Sequence, residues 1–190
     1  MSWKKALAGL AAAVVMCTGL AGCSPSPGTV AIVSGETITQ GHVNSAVDTL
    51  RIITARTQGS ESLATPQFVI RYEIFHLLFE QANAKLGLSI TDDDRVTMLE
   101  QQYGTTGLAA DLWNDPETVE AMKGILDFDI ANSLISYGAV NTQEFLDALA
   151  APSVKINPRY GGWDFNEMNL TSSTVLGGPM ADATPFTVPL

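Results

Sequence analysis

The sequence has very little cysteine, and its two cysteines lie near one end. Cys17 and Cys23 are the only two among 190 residues. Both lie within the first 23 residues, so residues 24–190 offer no cysteine for a disulfide or for a cysteine metal site.

Positive charge is also scarce, since 10 Lys and Arg residues stand against 20 Asp and Glu residues, for a net charge of −10. Without Lys4 and Lys5, the two cations at the start of the chain, the balance is 8 against 20, or −12. Nucleic-acid phosphates require a basic surface, so this composition argues against nucleic acid as a partner. An acidic chain is also repelled by anionic lipid, so membrane attachment would depend on an anchor.

The sequence lacks a hydrophobic run long enough to cross a bilayer, for which about 20 apolar residues are needed. An uncharged, largely apolar segment near the start, residues 6–20, follows Lys4 and Lys5 and is followed by the small residues Ala21 and Gly22. A basic segment, an apolar segment and a small-residue cleavage site are typical of a secretory signal peptide. Residues 1–22 are therefore predicted to be removed, which leaves 168 residues, enough for one domain.

The cleavage site itself, Leu20-Ala21-Gly22-Cys23, resembles the lipobox of bacterial lipoproteins. Its thiol would take a diacylglyceryl group, and Cys23 would become the first residue of the mature protein. Two or more acyl chains, such as palmitate, make a durable anchor, whereas one chain binds only marginally. We therefore expect a protein of the cell envelope, lipid-anchored at Cys23 to the extracytoplasmic membrane face, with residues 23–29 as a tether. The alternative is an ordinary signal peptide, or a short anchor, in which Cys23 is incidental.

Sequence signals for catalysis are missing. No serine lies in a Gly-x-Ser-x-Gly motif, and no glycine-rich loop resembles a phosphate-binding loop. Glu73, His76 and Glu80 share one helical face and resemble half of a di-iron motif, but such sites need a second Glu-x-x-His and further glutamates. These residues and Asn83 are interpreted as a solvated polar strip. The sequence thus predicts a non-enzymatic protein with no catalytic residues, no metal and no cofactor.

The rest of the chain has the patterns of a mainly α-helical domain. Helices are predicted at residues 40–56, 66–86, 92–103, 116–137 and 142–150. Residues 30–38 are predicted to form a tight hairpin around Ser34-Gly35, and residues 154–156 a further short strand. The predicted fold is mainly α, with about five helices and a small β element that pairs the N-terminal hairpin with the C-terminal strand. Residues 166–190, rich in Ser, Thr, Gly and Pro, are predicted to be a disordered tail.

The second predicted helix has the clearest boundaries, with Thr65 as N-cap, Pro66 at the first helical position and Gly87 after its end. It is apolar on more than one side, with Tyr72 and Phe75 on one stripe. Such a helix is either central to the core or partly turned toward a partner. The sequence leaves both alternatives open, although core is the commoner fate of any one large apolar residue.

Two segments resemble the ends of one known domain. Val33-Ser-Gly-Glu-Thr-Ile-Thr39 is similar to the hairpin that opens the N-terminal domain of SurA-like and PrsA-like chaperones, with Ser34 where that family usually has asparagine. Val154-Lys-Ile-Asn-Pro-Arg-Tyr-Gly-Gly-Trp-Asp164 resembles the strand and aromatic turn that close it. The resemblance covers residues 30–165. Many relatives carry a parvulin-type prolyl isomerase domain before the closing strand, but here only 15 residues separate Gly138 from Val154.

The resemblance implies a chaperone module that shields unfolded secreted proteins, without isomerase activity. Unfolded chains expose apolar segments, and a membrane tether would raise the local concentration of the chaperone near the site of export. The alternative function is that of a structural or interaction lipoprotein that binds one specific envelope partner.

Overall fold

The computed structural model describes residues 28–57, 63–103 and 112–171. The fold class is the one predicted, namely a mainly helical domain with small antiparallel sheets. Its helices are α1 (Gln40–Thr57), α2 (Pro66–Leu86), α3 (Asp92–Tyr103), α4 (Pro116–Ser136) and α5 (Thr142–Ala150). None of the helices in the described ranges is both long enough and apolar enough to span a membrane.

A three-stranded sheet joins the two ends of the domain, as predicted. It contains β1 (Thr29–Val33), β2 (Glu36–Thr39) and β3 (Val154–Ile156) in the order β2-β1-β3, and both pairings are antiparallel. Ser34 and Gly35 form the two-residue loop of the hairpin with φ of 49° and 99°. Positive φ at both loop positions matches the twist of the flanking strands, which explains the tight turn. β1 begins at Thr29, the last residue of the predicted tether. Residues 23–27 of that tether lie outside the described part.

A second, two-stranded sheet corrects the predicted end of the domain at residue 165. Its strands are β4 (Gly162–Asp164) and β5 (Asn169–Thr171), and the side chains of Met168 and Leu170 are only 2% and 5% exposed. The guanidinium Nε of Arg71 donates a hydrogen bond of 3.0 Å to the Met168 carbonyl. The predicted disordered tail was therefore wrong for residues 166–171, because a contact 97 residues away in sequence gives this polar segment its place. Residues 172–190 lie outside the described part.

α2 is the central helix, and it has the predicted boundaries. The Thr65 hydroxyl accepts the Phe68 backbone N–H at 3.3 Å, and Gly87 closes the helix with φ 65°. Apolar side chains on several of its sides are buried, among them Val69, Ile70, Ile74, Phe75, Leu78, Phe79 and Ala82. The helix packs against α1, α4 and α5. Burial on so many sides explains why its sequence shows no single apolar stripe.

Candidate functional site

The described residues include a cluster of charged side chains around Arg95 that extends from the buried interior to the surface, and we call it the Arg95 cluster. It consists of Arg95, Asp92, Asp127, His76 and Glu80, and it joins α2, α3 and α4. Arg95 Nε donates to Asp127 Oδ1 at 2.7 Å, and Arg95 Nη2 donates to Asp127 Oδ2 at 3.2 Å. Arg95 also donates to Asp92 at 2.9 Å and to Glu80. One guanidinium thus binds three carboxylates.

Asp127 is the buried centre of this cluster and has no exposed surface. Its Oδ2 lies 2.6 Å from His76 Nδ1 and also accepts a hydrogen bond from Arg95 Nη2. One carboxylate oxygen thus contacts both the imidazole and the guanidinium. Burial of Arg95 opposes its charged form, but the hydrogen bonds and the attraction of Asp127, followed by those of Glu80, outweigh burial and raise the pKa of Arg95. Arg95 therefore stays positively charged in the interior, where the neighbouring carboxylates balance its charge.

Three members of the cluster are of the types that bind metal ions. The ligand atoms of His76, Glu80 and Asp127 all lie within 4.8 Å of one another. However, Arg95 donates to the carboxylates of both Asp127 and Glu80, so a metal ion would have to displace its guanidinium. As folded, the cluster connects three helices through ionic hydrogen bonds.

The predicted solvated strip on α2 was wrong for most of its residues. Glu73 and Asn83 are buried and His76 is half-buried, whereas the Glu80 side chain is 44% exposed. Asn83 makes two hydrogen bonds to the backbone of Ile90, of 3.2 and 3.3 Å. The spacing on the helix was correct, but neighbouring helices, rather than water, cover most of this side.

Glu73 and His76 do not form one site, because they face different partners. His42 of α1 lies with its Nε2 3.0 Å from Glu73 Oε2, while His76 contacts Asp127. The hydrogen bond that the His42 imidazole donates to the Glu73 carboxylate raises the pKa of His42, burial opposes this, and the charges of Glu73 and Glu120 add to the rise. The sequence reasoning missed Arg95 and Asp127. Asp127 stands between apolar residues in α4, and a charge in such a run is the signal that would have found it.

The apolar face of α2 that carries Tyr72 and Phe75 is closed by α4. The rings of both residues pack edge-on against Phe128, with centroids 5.4 and 5.2 Å away, and Phe75 is buried. Gly124 makes this approach feasible, because a Cβ there would lie 2.2 Å from the Tyr72 carbonyl oxygen. Of the two alternatives for this helix, the structure therefore selects core packing.

An open apolar depression lies between α3 and the C-terminal half of α4, and we call it the α3–α4 groove. Its volume is about 240 Å³. It is lined by Ile90, Asp94, Thr97, Met98, Gln101, Ile130, Ser133, Leu134, Tyr137 and Ala139. At its edge Tyr137 is 87% exposed; the other exposed large apolar residues in the described ranges are Ile52, at 55%, and Leu63.

Comparison with known proteins gives no relative, since no family model, no curated protein and no solved structure matches this chain. The predicted lipidation residue Cys23 lies outside the described residues.

Proposed function

We propose that this chain is a lipid-anchored folding factor on the extracytoplasmic membrane face that binds unfolded exported polypeptides and has no isomerase activity. The observation that carries the proposal is the α3–α4 groove, with the ring of Tyr137 exposed at its edge. A contiguous apolar groove at the surface of a folded domain commonly marks an interaction site. The similarity of residues 30–165 to the SurA-like and PrsA-like chaperone domain supports the same function.

The size of the groove favours a polypeptide over a small-molecule ligand. Pockets for small molecules commonly have volumes of about 300–1,000 Å³, whereas this groove has about 240 Å³. It can take single apolar side chains of an extended segment. Met98 lies in its wall, and methionine adapts its shape to different contacts, as binding to varied sequences requires.

The alternative function is that of an interaction lipoprotein with one envelope partner. The small size of the groove favours this alternative. The larger apolar faces of α2 are buried in the core, so they offer no further surface to unfolded chains. A general chaperone needs broad selectivity, whereas a single partner needs only one well-fitted segment.

The test uses the full mature chain reconstituted in phosphatidylcholine nanodiscs, with empty nanodiscs as the blank. We expect it to suppress the aggregation of several unrelated unfolded proteins at modest molar excess. Tyr137→Ser should weaken this protection, and Ile52→Ser, which removes an exposed apolar side chain outside the groove, should not.

Failure to protect any of the unfolded proteins would reject the general chaperone. Capture of one dominant envelope protein would then favour the alternative function. A prolyl-peptide assay should show no turnover, and activity that survives repurification would contradict that part of the proposal.

A further inference from the structure

We propose that the α3–α4 groove binds polypeptide segments in which apolar residues are flanked by Lys or Arg. This inference rests on the proposed function, because it narrows the class of client that the same groove accepts. It follows from the combination of an apolar wall, one ionised carboxylate and one exposed aromatic ring around a single depression.

The lining of the groove is mostly apolar, and its one charged side chain is negative. Ile90, Met98, Ile130 and Leu134 line it, and the neutral polar residues Thr97, Gln101 and Ser133 complete its sides. Asp94 is the one charged residue among the described residues that line it. The groove therefore has a negative charge at its edge with no neighbouring cation in its lining to neutralise it.

Asp94 is held in position and in its charged form. Its Oδ2 accepts both the backbone N–H and the hydroxyl of Thr91, each at 2.8 Å. These hydrogen bonds lower the pKa of Asp94, with a smaller contribution from Arg95. Both bonds go to Oδ2, so Oδ1 of this exposed carboxylate remains available to a ligand.

The surrounding charges keep this end of α3 negative. Asp92, Asp93 and Asp94 occupy the first turn, where the helix dipole supplies only about +0.5 of a charge. Arg95 follows directly in sequence, but its guanidinium turns inward to Asp127 and Glu80 and reaches Asp92 alone among the three. Within the described part of the chain, neither Asp93 nor Asp94 forms an ion pair.

Tyr137 lies on the α4 side of the same groove and offers a ring face to a cation. A Lys or Arg head group within about 6 Å of such a ring is attracted to it. The stem of Lys or Arg is apolar and packs on apolar surface while its charged head stays in water. A segment of apolar residues flanked by basic ones therefore offers an apolar contact to the wall and a cation to the carboxylate and to the ring.

The charge of the whole chain acts in the same direction. With a net charge of −10, the protein attracts basic segments over acidic ones before contact. Charge complementarity thus selects the occupant, and the apolar wall positions it.

Three labelled peptides test the proposal by fluorescence anisotropy, with the full mature chain in phosphatidylcholine nanodiscs and empty nanodiscs as the blank. The first has apolar residues flanked by Lys, the second has the same residues flanked by Glu, and the third has Lys with Ser replacing the apolar residues. We expect the first to bind about tenfold more tightly than either of the others. Its affinity should fall as salt rises, because salt screens exposed charges.

Asp94→Asn should lower the affinity for the first peptide about threefold. The matched control is Asp93→Asn, which removes a carboxylate from the same helical turn but outside the groove lining, and it should bind like the wild type. Tyr137→Ser should weaken binding, and Tyr137→Phe should not. Because the Tyr137 side chain is exposed, this pair tests the groove even if Asp94→Asn loosens its helix cap.

Equal binding of the Lys-flanked and Glu-flanked peptides would overturn the proposal. So would unchanged binding in both Asp94→Asn and Tyr137→Ser. If aggregation is still suppressed under those outcomes, only this inference fails. If aggregation is not suppressed either, the proposed function fails with it.

Discussion

Gly124 lies within α4 at the point where this helix meets the backbone of α2. A Cβ at this position would lie 2.2 Å from the Tyr72 carbonyl oxygen and 2.6 Å from its carbonyl carbon. Backbone atoms cannot rotate aside as a side chain can, so the two helices would have to separate. A single missing methyl group thus sets the closeness of the α2–α4 contact.

We expect Gly124→Ala to lower the free energy of unfolding by about 1–3 kcal/mol, because it overpacks this contact. The matched control is Gly41→Ala in α1, where the nearest atom to a new Cβ is 4.0 Å away. That change should be neutral or stabilise by up to about 1 kcal/mol, since alanine favours helix. Urea unfolding measures both, and equal effects at the two sites would contradict the close contact.

Arg95 is the second residue on which packing depends. Arg95→Met should lower the free energy of unfolding by about 3–5 kcal/mol, because it leaves the buried carboxylate of Asp127 without its guanidinium. Arg51→Met, which breaks an exposed pair with Asp48, should change it by less than about 1 kcal/mol. Urea unfolding would reject a structural role for the cluster if the two losses were similar.

At the scale of elements, ionic contacts link helices that belong to different parts of the chain. The Arg95 cluster connects α3 to α2 and α4, and the pair of His42 and Glu73 connects α1 to α2. The raised pKa of His42 makes the second link dependent on pH. Its contribution to stability is complete below the unfolded-state pKa of about 6.5 and is lost as pH rises through the higher folded pKa.

His42→Gln should therefore destabilise the protein more at about pH 5.5 than at about pH 8.5, with a difference of about 0.5–1 kcal/mol because the pair is partly exposed. Among the described residues, the carboxylates that act on His42 are those of Glu73 in α2 and Glu120 in α4. Glu73→Gln should reduce the same pH dependence. Urea unfolding at both pH values measures it, and an identical pH dependence in wild type and His42→Gln would count against the link.

At the scale of the whole molecule, the three-stranded sheet fastens the first described residues to the last third of the chain. The Asn157 side chain donates to the Thr29 carbonyl at 2.9 Å, and Ser34 N–H donates to the Ser153 carbonyl at 2.8 Å. If Cys23 carries the lipid, the six residue steps from Cys23 to Thr29 can span at most about 20–22 Å. The end of the domain at Thr29 would therefore remain close to the membrane.

If Cys23 carries the predicted lipid, Cys23→Ser should release the protein from membranes, because the acyl chains would supply the attachment of an otherwise acidic chain. Cys17→Ser is the matched control, since this cysteine lies in the predicted signal peptide, and the mature protein should stay membrane-bound. Fractionation of cells into membrane and soluble parts measures both variants. Retention of the Cys23→Ser protein in membranes would contradict the lipid anchor.

The sequence by itself determined those features whose causes lie within a few residues. Thr65, Pro66 and Gly87 bound α2 through local hydrogen bonds and backbone preferences, and Ser34-Gly35 sets the hairpin loop. The mainly helical fold and its small sheet followed from such signals and from the alternation of apolar residues. These elements were predictable because a cap or a turn depends on its immediate neighbours.

Only the tertiary structure decided which polar residues are buried and which apolar surface is open. Asp127 and Arg95 meet across 32 residues, and Arg71 holds the segment after residue 165 across 97. The same packing closed the face of Tyr72 and left Tyr137 exposed. A helical period shows that a residue lies on a given face, but a distant element determines whether protein or water covers that face.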